Sequence, residues 1–132
     1  MNDLAEKKCV PCKGGTPPFD ISEIHKYLKK INGWDVSNDE KKNFFIEKEI
    51  KFKDYVNSEM FVLKVGKIAE EEGHHPDINF GWGYAKIKVY THAIKGLSES
   101  DFILAAKIEI FTHAIKGLAE SDFILASKID QI

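Results

Sequence analysis

The stretch Gly81–Thr91, GWGYAKIKVYT, defines the centre of the predicted fold. Its apolar residues Ala85, Ile87 and Val89 alternate with polar or amphipathic ones, which is the period of a strand that buries one face. The glycines at its start predict a turn, and the run 78–80 before them predicts a second strand. We therefore expect an antiparallel hairpin at this point of the chain.

Helices are predicted on both sides of this hairpin. Upstream, apolar residues at helical spacing run from about residue 55 to 72, and Gly73 follows where a helix C-cap belongs. Downstream, the run 98–101, SESD, has the spacing of a capping box in front of an apolar segment. A second and a third helix are therefore expected to flank the hairpin.

The first part of the chain predicts one helix and two strands. Apolar residues from Ile21 to Ile31 lie on one helix face, with Asp20 or Ser22 as cap and Gly33 as the end. Residues 34–36 and 44–52 are rich in aromatic and β-branched residues and predict two antiparallel strands. The fold class expected is α+β, a four-stranded antiparallel sheet covered on one face by helices in the order α-β-β-α-β-β-α.

Length and composition indicate one domain over residues 1–132, with residues 1–18 as an N-terminal lead-in. Nineteen basic and 21 acidic residues leave a formal charge of -2, which disfavours direct nucleic-acid binding. No apolar run is long enough to span a membrane, and the N-terminus lacks the pattern of a secretory signal. We expect a cytoplasmic protein that does not bind membranes.

Two cysteines, Cys9 and Cys12, stand in the spacing CVPC, which can serve a metal or a redox disulfide. A zinc site would need further ligands that no second cysteine pair provides. A thioredoxin-like site would need a preceding strand, which is not predicted. We therefore expect ordinary free thiols, as in a reducing compartment.

A sequence repeat occupies the C-terminal part of the chain. Residues 85–105 and 106–126 are identical at 17 of 21 aligned positions, and 106–130 is interpreted as a duplicated copy of 85–109. The first copy is expected to fill the core, since it follows the turn directly and keeps Ser98 as a cap where the second has Ala119. The second copy could add a strand and helix, extend the third helix, or swap between subunits.

The residues with the clearest chemical potential are His74, His75 and His92. Imidazoles exchange protons near neutral pH, so two of them can act as acid and base on one substrate. Purely structural histidines are the plainer alternative, and a three-histidine zinc site is another. Neighbouring residues of an extended backbone point to opposite sides, which disfavours a shared ion, and no metal is predicted.

At this point the sequence resembles a known family. The run Glu70, His74-His75-Pro76, Trp82, His92 and Asp101, with its spacing, is similar to the signature of the pterin-4a-carbinolamine dehydratases. The likeness extends from the CVPC segment to about Ile108. It implies a helix-covered four-stranded sheet that forms homodimers or homotetramers.

The resemblance also implies roles for individual residues. His74 and His92 correspond to the proton-transfer pair and His75 to a residue that holds the pterin. Glu70 and Asp101 match acidic positions of the signature, and Asp101 would orient a histidine while serving the helix cap. Trp82 either walls the pocket or is a core aromatic. The second repeat copy offers His113 and Asp122 as equivalents of His92 and Asp101.

The function implied is dehydration of 4a-hydroxytetrahydropterin to quinonoid dihydropterin in tetrahydrobiopterin recycling, with no cofactor. The pterin is then the substrate, bound in a pocket with aromatic walls. The alternative is a non-catalytic dimerisation or binding module for a protein partner. The three histidines of the signature favour the enzyme.

Overall fold

The structure, a computed structural model, describes residues 3–9 and 17–112. A short 3-10 helix, Asp3–Glu6, precedes helix α1, Ile21–Leu28. The remaining elements are β1 (Asp35–Asn38), β2 (Phe44–Lys51), α2 (Tyr55–Glu72), β3 (Asp77–Gly81), β4 (Tyr84–Val89), a 3-10 helix (His92–Ile94) and α3, which begins at residue 99 and is described to residue 112. This order confirms the predicted α-β-β-α-β-β-α arrangement.

The four strands form one antiparallel sheet in the order β1-β2-β4-β3. Strand β4 is central, and its residues Ala85, Ile87 and Val89 are fully buried. They lie beside Ile46 and Ile50 of β2 on the face that the helices cover. The helices contribute large core side chains to the same face, among them Ile24, Phe61, Val65, Phe102 and Leu104.

The opposite face of the sheet carries charged side chains. Lys88 stands opposite Glu47 on β2 and opposite Asp77 on β3, and Lys86 lies 3.6 Å from the Glu47 carboxylate. Charged pairs of this kind are compatible with a solvated sheet face. The expected sheet with one helix-covered face is therefore confirmed.

The helix ends agree with the predicted signals, with one difference. Asp20 forms a capping box with Glu23, and Gly73 closes α2 in the left-handed conformation at φ +63°. Helix α1, however, ends at Leu28 rather than near Gly33. Ile31 is still buried, because a tight turn after Leu28 carries it into the core.

The N-terminal segment is more closely packed than a lead-in suggests. Leu4 is 2% exposed and belongs to the hydrophobic core. The Lys7 ammonium lies 3.2 Å from the Glu99 carboxylate at the start of α3. Residues 3–9, which we call the N-terminal strap, therefore hold on to the helical layer.

The two copies of the repeat have different structures where both are described. Residues 85–89 of the first copy lie in β4, whereas residues 106–112 of the second continue helix α3. Of the three arrangements considered for the second copy, its first seven residues extend the third helix. The rest of the copy, from His113 onward, lies outside the described residues.

Within the described ranges, no helix combines the length and apolarity that a membrane span requires.

Candidate active site

Among the predicted site residues, His74 and Asp101 form a close polar contact. His74 follows the left-handed Gly73 at the end of α2, and its Nε2 lies 2.6 Å from Asp101 Oδ1. The Asp101 side chain is completely buried, and that of His74 is 12% exposed. The buried carboxylate thus fixes the orientation of an imidazole that keeps slight access to solvent.

Three donors converge on the second oxygen of the same carboxylate. The Thr91 hydroxyl donates to Asp101 Oδ2 at 2.6 Å, and the Ser98 backbone N–H donates at 2.8 Å. The Ser98 hydroxyl lies 3.4 Å away. The hydrogen bond from the Ser98 backbone N–H is the capping-box contact predicted from the run 98–101. Asp101 therefore caps the start of α3 and also binds His74.

His75 is bound by a different acid. Its Nε2 lies 2.7 Å from Glu70 Oε2, and both side chains are largely exposed, at 61% and 79%. Neighbouring histidines therefore turn to different partners, one buried and one at the surface. This separation follows from the extended backbone after Gly73.

His92 lies in the loop after β4. It is exposed, and its ring centroid is 4.2 Å from that of Tyr90. Paired hydrogen bonds between the backbones of Thr91 and Gly96 close this loop. The residue before His92 is Thr91, and its hydroxyl donates to the Asp101 carboxylate, which also binds His74.

Trp82 occupies the other end of the hairpin. It lies in the turn between β3 and β4 and is 71% exposed, so its interpretation as a core aromatic is wrong. The histidines lie beyond the opposite ends of these strands, and since β3 alone spans four steps of about 3.3 Å, the turn is at least roughly 13 Å away. Within one chain Trp82 therefore lies away from the His74–Asp101 pair, and its interpretation as a pocket wall stays a prediction.

Several predicted positions fall outside the described residues, namely Cys12, His113 and Asp122. Cys9 is a free cysteine. In the described ranges 3–9 and 17–112, no group of three or more His, Cys, Asp or Glu side chains is placed to hold a metal ion. The candidate site is thus built from histidines and their carboxylates.

Thr91 is a site residue that sequence reasoning missed. Its side chain is buried and completes the hydrogen bonding of Asp101. Its position next to His92, at the end of the central strand, was the available signal. A hydroxyl-bearing residue at a buried strand end usually needs a polar partner.

Comparison with known proteins gives a consistent family. The sequence profile described as "Pterin 4 alpha carbinolamine dehydratase" matches residues 17–111. A provisionally named pterin-4-alpha-carbinolamine dehydratase of Rubrobacter xylanophilus is 46% identical over 106 residues, which cover 80% of this chain and 95% of that protein. A protein of the same provisional name from Alkaliphilus metalliredigens is 48% identical over 107 residues, covering 80% and 93%.

Two solved structures are similar in fold. One is described as a transcriptional coactivator/pterin dehydratase from Brucella melitensis, with a TM-score of 0.61, 25% identity, and coverage of 69% of this chain and 94% of that one. The other is described as a pterin dehydratase-like protein that is a RuBisCO assembly factor in the alpha-carboxysome. Its TM-score is 0.50, with 26% identity and coverage of 60% and 88%.

Proposed function

The chain belongs to the pterin 4 alpha carbinolamine dehydratase family, and on that premise we propose that it dehydrates 4a-hydroxytetrahydropterin to quinonoid dihydropterin and water. One observation carries the proposal. The His74 imidazole is held 2.6 Å from Asp101, a fully buried carboxylate that three further donors orient. A fixed imidazole with slight solvent access suits proton transfer to a small substrate.

The reaction needs two proton movements and no change of oxidation state. One proton reaches the 4a-hydroxyl, the carbon–oxygen bond breaks, and water leaves. The lone pair of the neighbouring ring nitrogen forms the new carbon–nitrogen double bond, and that nitrogen releases its proton to a base. Neutral imidazoles and imidazoliums supply both functions near neutral pH, so the balance requires no oxidant or cofactor.

His74 is proposed to act through its Nδ1 atom. A neutral imidazole that donates its Nε2–H to the Asp101 carboxylate keeps a lone pair on Nδ1. That atom can accept the proton of the ring nitrogen. Asp101 then acts as a positioning residue, because its buried oxygens set the tautomer and the direction of the ring.

His92 is proposed as the second member of the pair, donating a proton to the leaving hydroxyl. It is exposed and lies one residue from Thr91, so its loop is joined to the Asp101 network. His75 and Glu70, bound to each other at the surface, are proposed to contact the pterin ring by hydrogen bonds. In this proposal the enzyme serves tetrahydrobiopterin recycling.

The first test is the decay of enzymatically generated 4a-hydroxytetrahydropterin, followed by ultraviolet absorbance. We expect acceleration by the wild-type protein and a loss of about 100-fold or more in kcat for His74→Ala and for His92→Ala. His25→Ala, which removes an exposed histidine of α1, is the matched control and should keep full activity. Circular dichroism confirms that each variant is folded.

Two outcomes would contradict the enzyme. One is a folded wild-type protein that gives no acceleration above the uncatalysed decay. The other is turnover that survives both histidine substitutions. His113→Ala adds a test of the repeat, because its full activity would assign the function to the first copy.

A second candidate function is a dimerisation or binding module, which one observation favours. Helix α2 is apolar on two faces, and its outward residues Val56, Met60 and Leu63 are 58%, 57% and 67% exposed. Their spacing places them in one stripe along the helix. A stripe of this kind is a common site of association between protein chains.

We propose that a second copy of this chain covers the α2 stripe, giving a homodimer or homotetramer. Light scattering after size exclusion should then show an oligomer that Met60→Glu dissociates. Lys26→Glu, an exposed substitution on α1, should leave the oligomer intact. A monomeric wild-type protein at micromolar concentration would contradict the proposal.

A further inference from the structure

Glu72, the last residue of α2, joins three parts of the molecule. The backbone N–H of Cys9, in the N-terminal strap, donates to its Oε1 at 3.0 Å. The Lys107 ammonium of α3 lies 3.5 Å from its Oε2. The side chains of Glu72 and Lys107 are only 15% and 21% exposed, so this carboxylate is a shielded link between the strap, α2 and α3.

The two side chains that meet here differ in charge, because the Glu72 carboxyl is held in its ionised form and the Cys9 thiol in its neutral form. The hydrogen bond from the Cys9 amide, together with Lys107, lowers the pKa of Glu72 against the opposing effect of burial. Burial, reinforced by the negative charge of Glu72, raises the pKa of the Cys9 thiol to about 12. At neutral pH an ionised carboxylate therefore faces a protonated thiol.

The thiol makes the second contact of the strap. Cys9 Sγ donates a hydrogen bond of 3.4 Å to the backbone carbonyl of Ser100. Cys9 thus binds Glu72, two residues before His74, and Ser100, one residue before Asp101. The N-terminal strap therefore contacts the segment just before His74 and the segment just before Asp101, and the side chains of these two residues lie 2.6 Å apart.

We infer that Glu72 is a positioning residue, which through its contacts with Cys9 and Lys107 fixes the separation of His74 and Asp101. The inference rests on the proposed function for its effect on turnover, but not for its effect on the His74 ring. Glu72 is proposed to contact neither His74 nor the substrate. It acts by holding the end of α2 against the start of α3, so that the short backbone link through Gly73 leaves His74 in place.

A kinetic test separates positioning from general stability. Glu72→Ala removes both contacts, and we expect kcat to fall about tenfold while KM changes less than about twofold, because small misplacements of a catalytic group are costly. Glu72→Gln keeps an oxygen that can accept from the Cys9 amide and should recover most of that loss. Lys7→Ala breaks a strap contact that does not involve Glu72, the one with Glu99, and should leave kcat unchanged.

A spectroscopic test does not depend on activity. Nitrogen-edited NMR of ¹⁵N-histidine protein should show the His74 ring resonances of the bond to Asp101 shifted or broadened in Glu72→Ala. The His75 ring, bound to Glu70, is the internal reference and should stay in place. An inactive wild-type protein would defeat the proposed enzyme and leave this measurement to decide the positioning role.

The inference is overturned if folded Glu72→Ala keeps both wild-type kcat and the wild-type His74 resonances. It is equally overturned if Lys7→Ala reproduces the full effect, since the loss would then follow from any loosening of the strap and not from the contacts of Glu72. Where Glu72→Ala does not fold, Lys107→Met carries the test, with a smaller shift of the His74 resonances expected and unchanged resonances counting against the inference.

Discussion

Residues 85–91 and 106–112 are nearly the same peptide in two structures. The first, AKIKVYT, forms strand β4 and the residues just after it, while the second, AKIEIFT, lies in helix α3. Both contain β-branched and aromatic residues that favour a strand in isolation. Local preference therefore does not decide between the two structures.

What differs is the set of partners that each copy finds. Residues 85–89 lie between two strands that satisfy their backbone groups on both sides. Residues 106–112 follow a helix that a capping box has already started, so each added residue gains a helical hydrogen bond without a new nucleus. Ala106 and Ile108 are fully buried there, which adds packing energy to the helical choice.

The substituted positions fit their own surroundings. In the first copy, Lys88 stands between Glu47 and Asp77. At the same position of the second copy, Glu109 accepts a hydrogen bond from the backbone N–H of Asn32 at 3.1 Å. Phe111, the counterpart of Tyr90, stacks with Phe61 at 6.1 Å between ring centroids. The few differences between the copies thus support the structure that each adopts.

The sharpest way to break the helical copy is proline at Ala106. In the interior of α3 it would remove a backbone hydrogen bond and clash with the preceding turn, so we expect a loss of about 3 kcal/mol or more in unfolding free energy. Urea denaturation followed by circular dichroism measures it. Ile21→Pro, at the first position of α1, is the matched control, where proline is tolerated and the change should stay below about 1 kcal/mol.

A loss at Ala106→Pro no larger than that of the control would mean that α3 ends before the second copy begins.

The threonine pair sharpens the comparison at equivalent positions. Thr91 donates to the buried Asp101 carboxylate, so Thr91→Val should cost about 2 kcal/mol of unfolding free energy. The Thr112 hydroxyl donates to the Ile108 carbonyl within the helix at 2.7 Å, and Thr112→Val should cost less than about 1 kcal/mol. Equal losses in the two variants would contradict the different roles of the two copies.

The same pair of variants should differ in activity. Under the proposed function, Thr91→Val removes a hydrogen bond that orients the Asp101 carboxylate, so His74 is held less firmly and kcat falls. Thr112→Val should leave the dehydration rate unchanged. The ultraviolet assay measures both.

The charge exchange at position 88 gives the smallest expected effect. Lys88→Glu would place a third carboxylate between Glu47 and Asp77, and we expect a loss of about 1 kcal/mol from the cross-strand pairs. The loss should shrink as salt is added, because these side chains are partly exposed. Lys95→Glu, in an exposed loop, controls for the change in net charge.

A Lys88→Glu loss that is equally large at high salt would exclude the electrostatic explanation.

Much of the fold could be predicted because its signals are local. The alternation around Ile87, the Gly73 cap and the 98–101 capping box each act within a few residues, and each appears as expected. The end of α1 and the burial of Leu4 could not be predicted in this way. They depend on how distant segments pack, which no short pattern records.

The candidate site was predictable in its residue types more than in its geometry. The spacing indicated that His74 and Asp101 belong together, but Trp82 was drawn into the same group although the hairpin carries it to the far end. The structure of the second copy was also hard to predict, because two nearly identical segments give no local reason for a strand in one copy and a helix in the next. Cross-strand pairing and helix propagation decide that question only in the assembled core.

Asp101 completes the cap of α3 and holds His74 with the same carboxylate. Evolution therefore has little freedom to adjust the one role without the other. A protein under selection for faster turnover could not exchange this side chain without weakening the start of a buried helix. Under the proposed function, heat should accordingly abolish activity and the folded state at the same temperature, leaving no inactive native form between them.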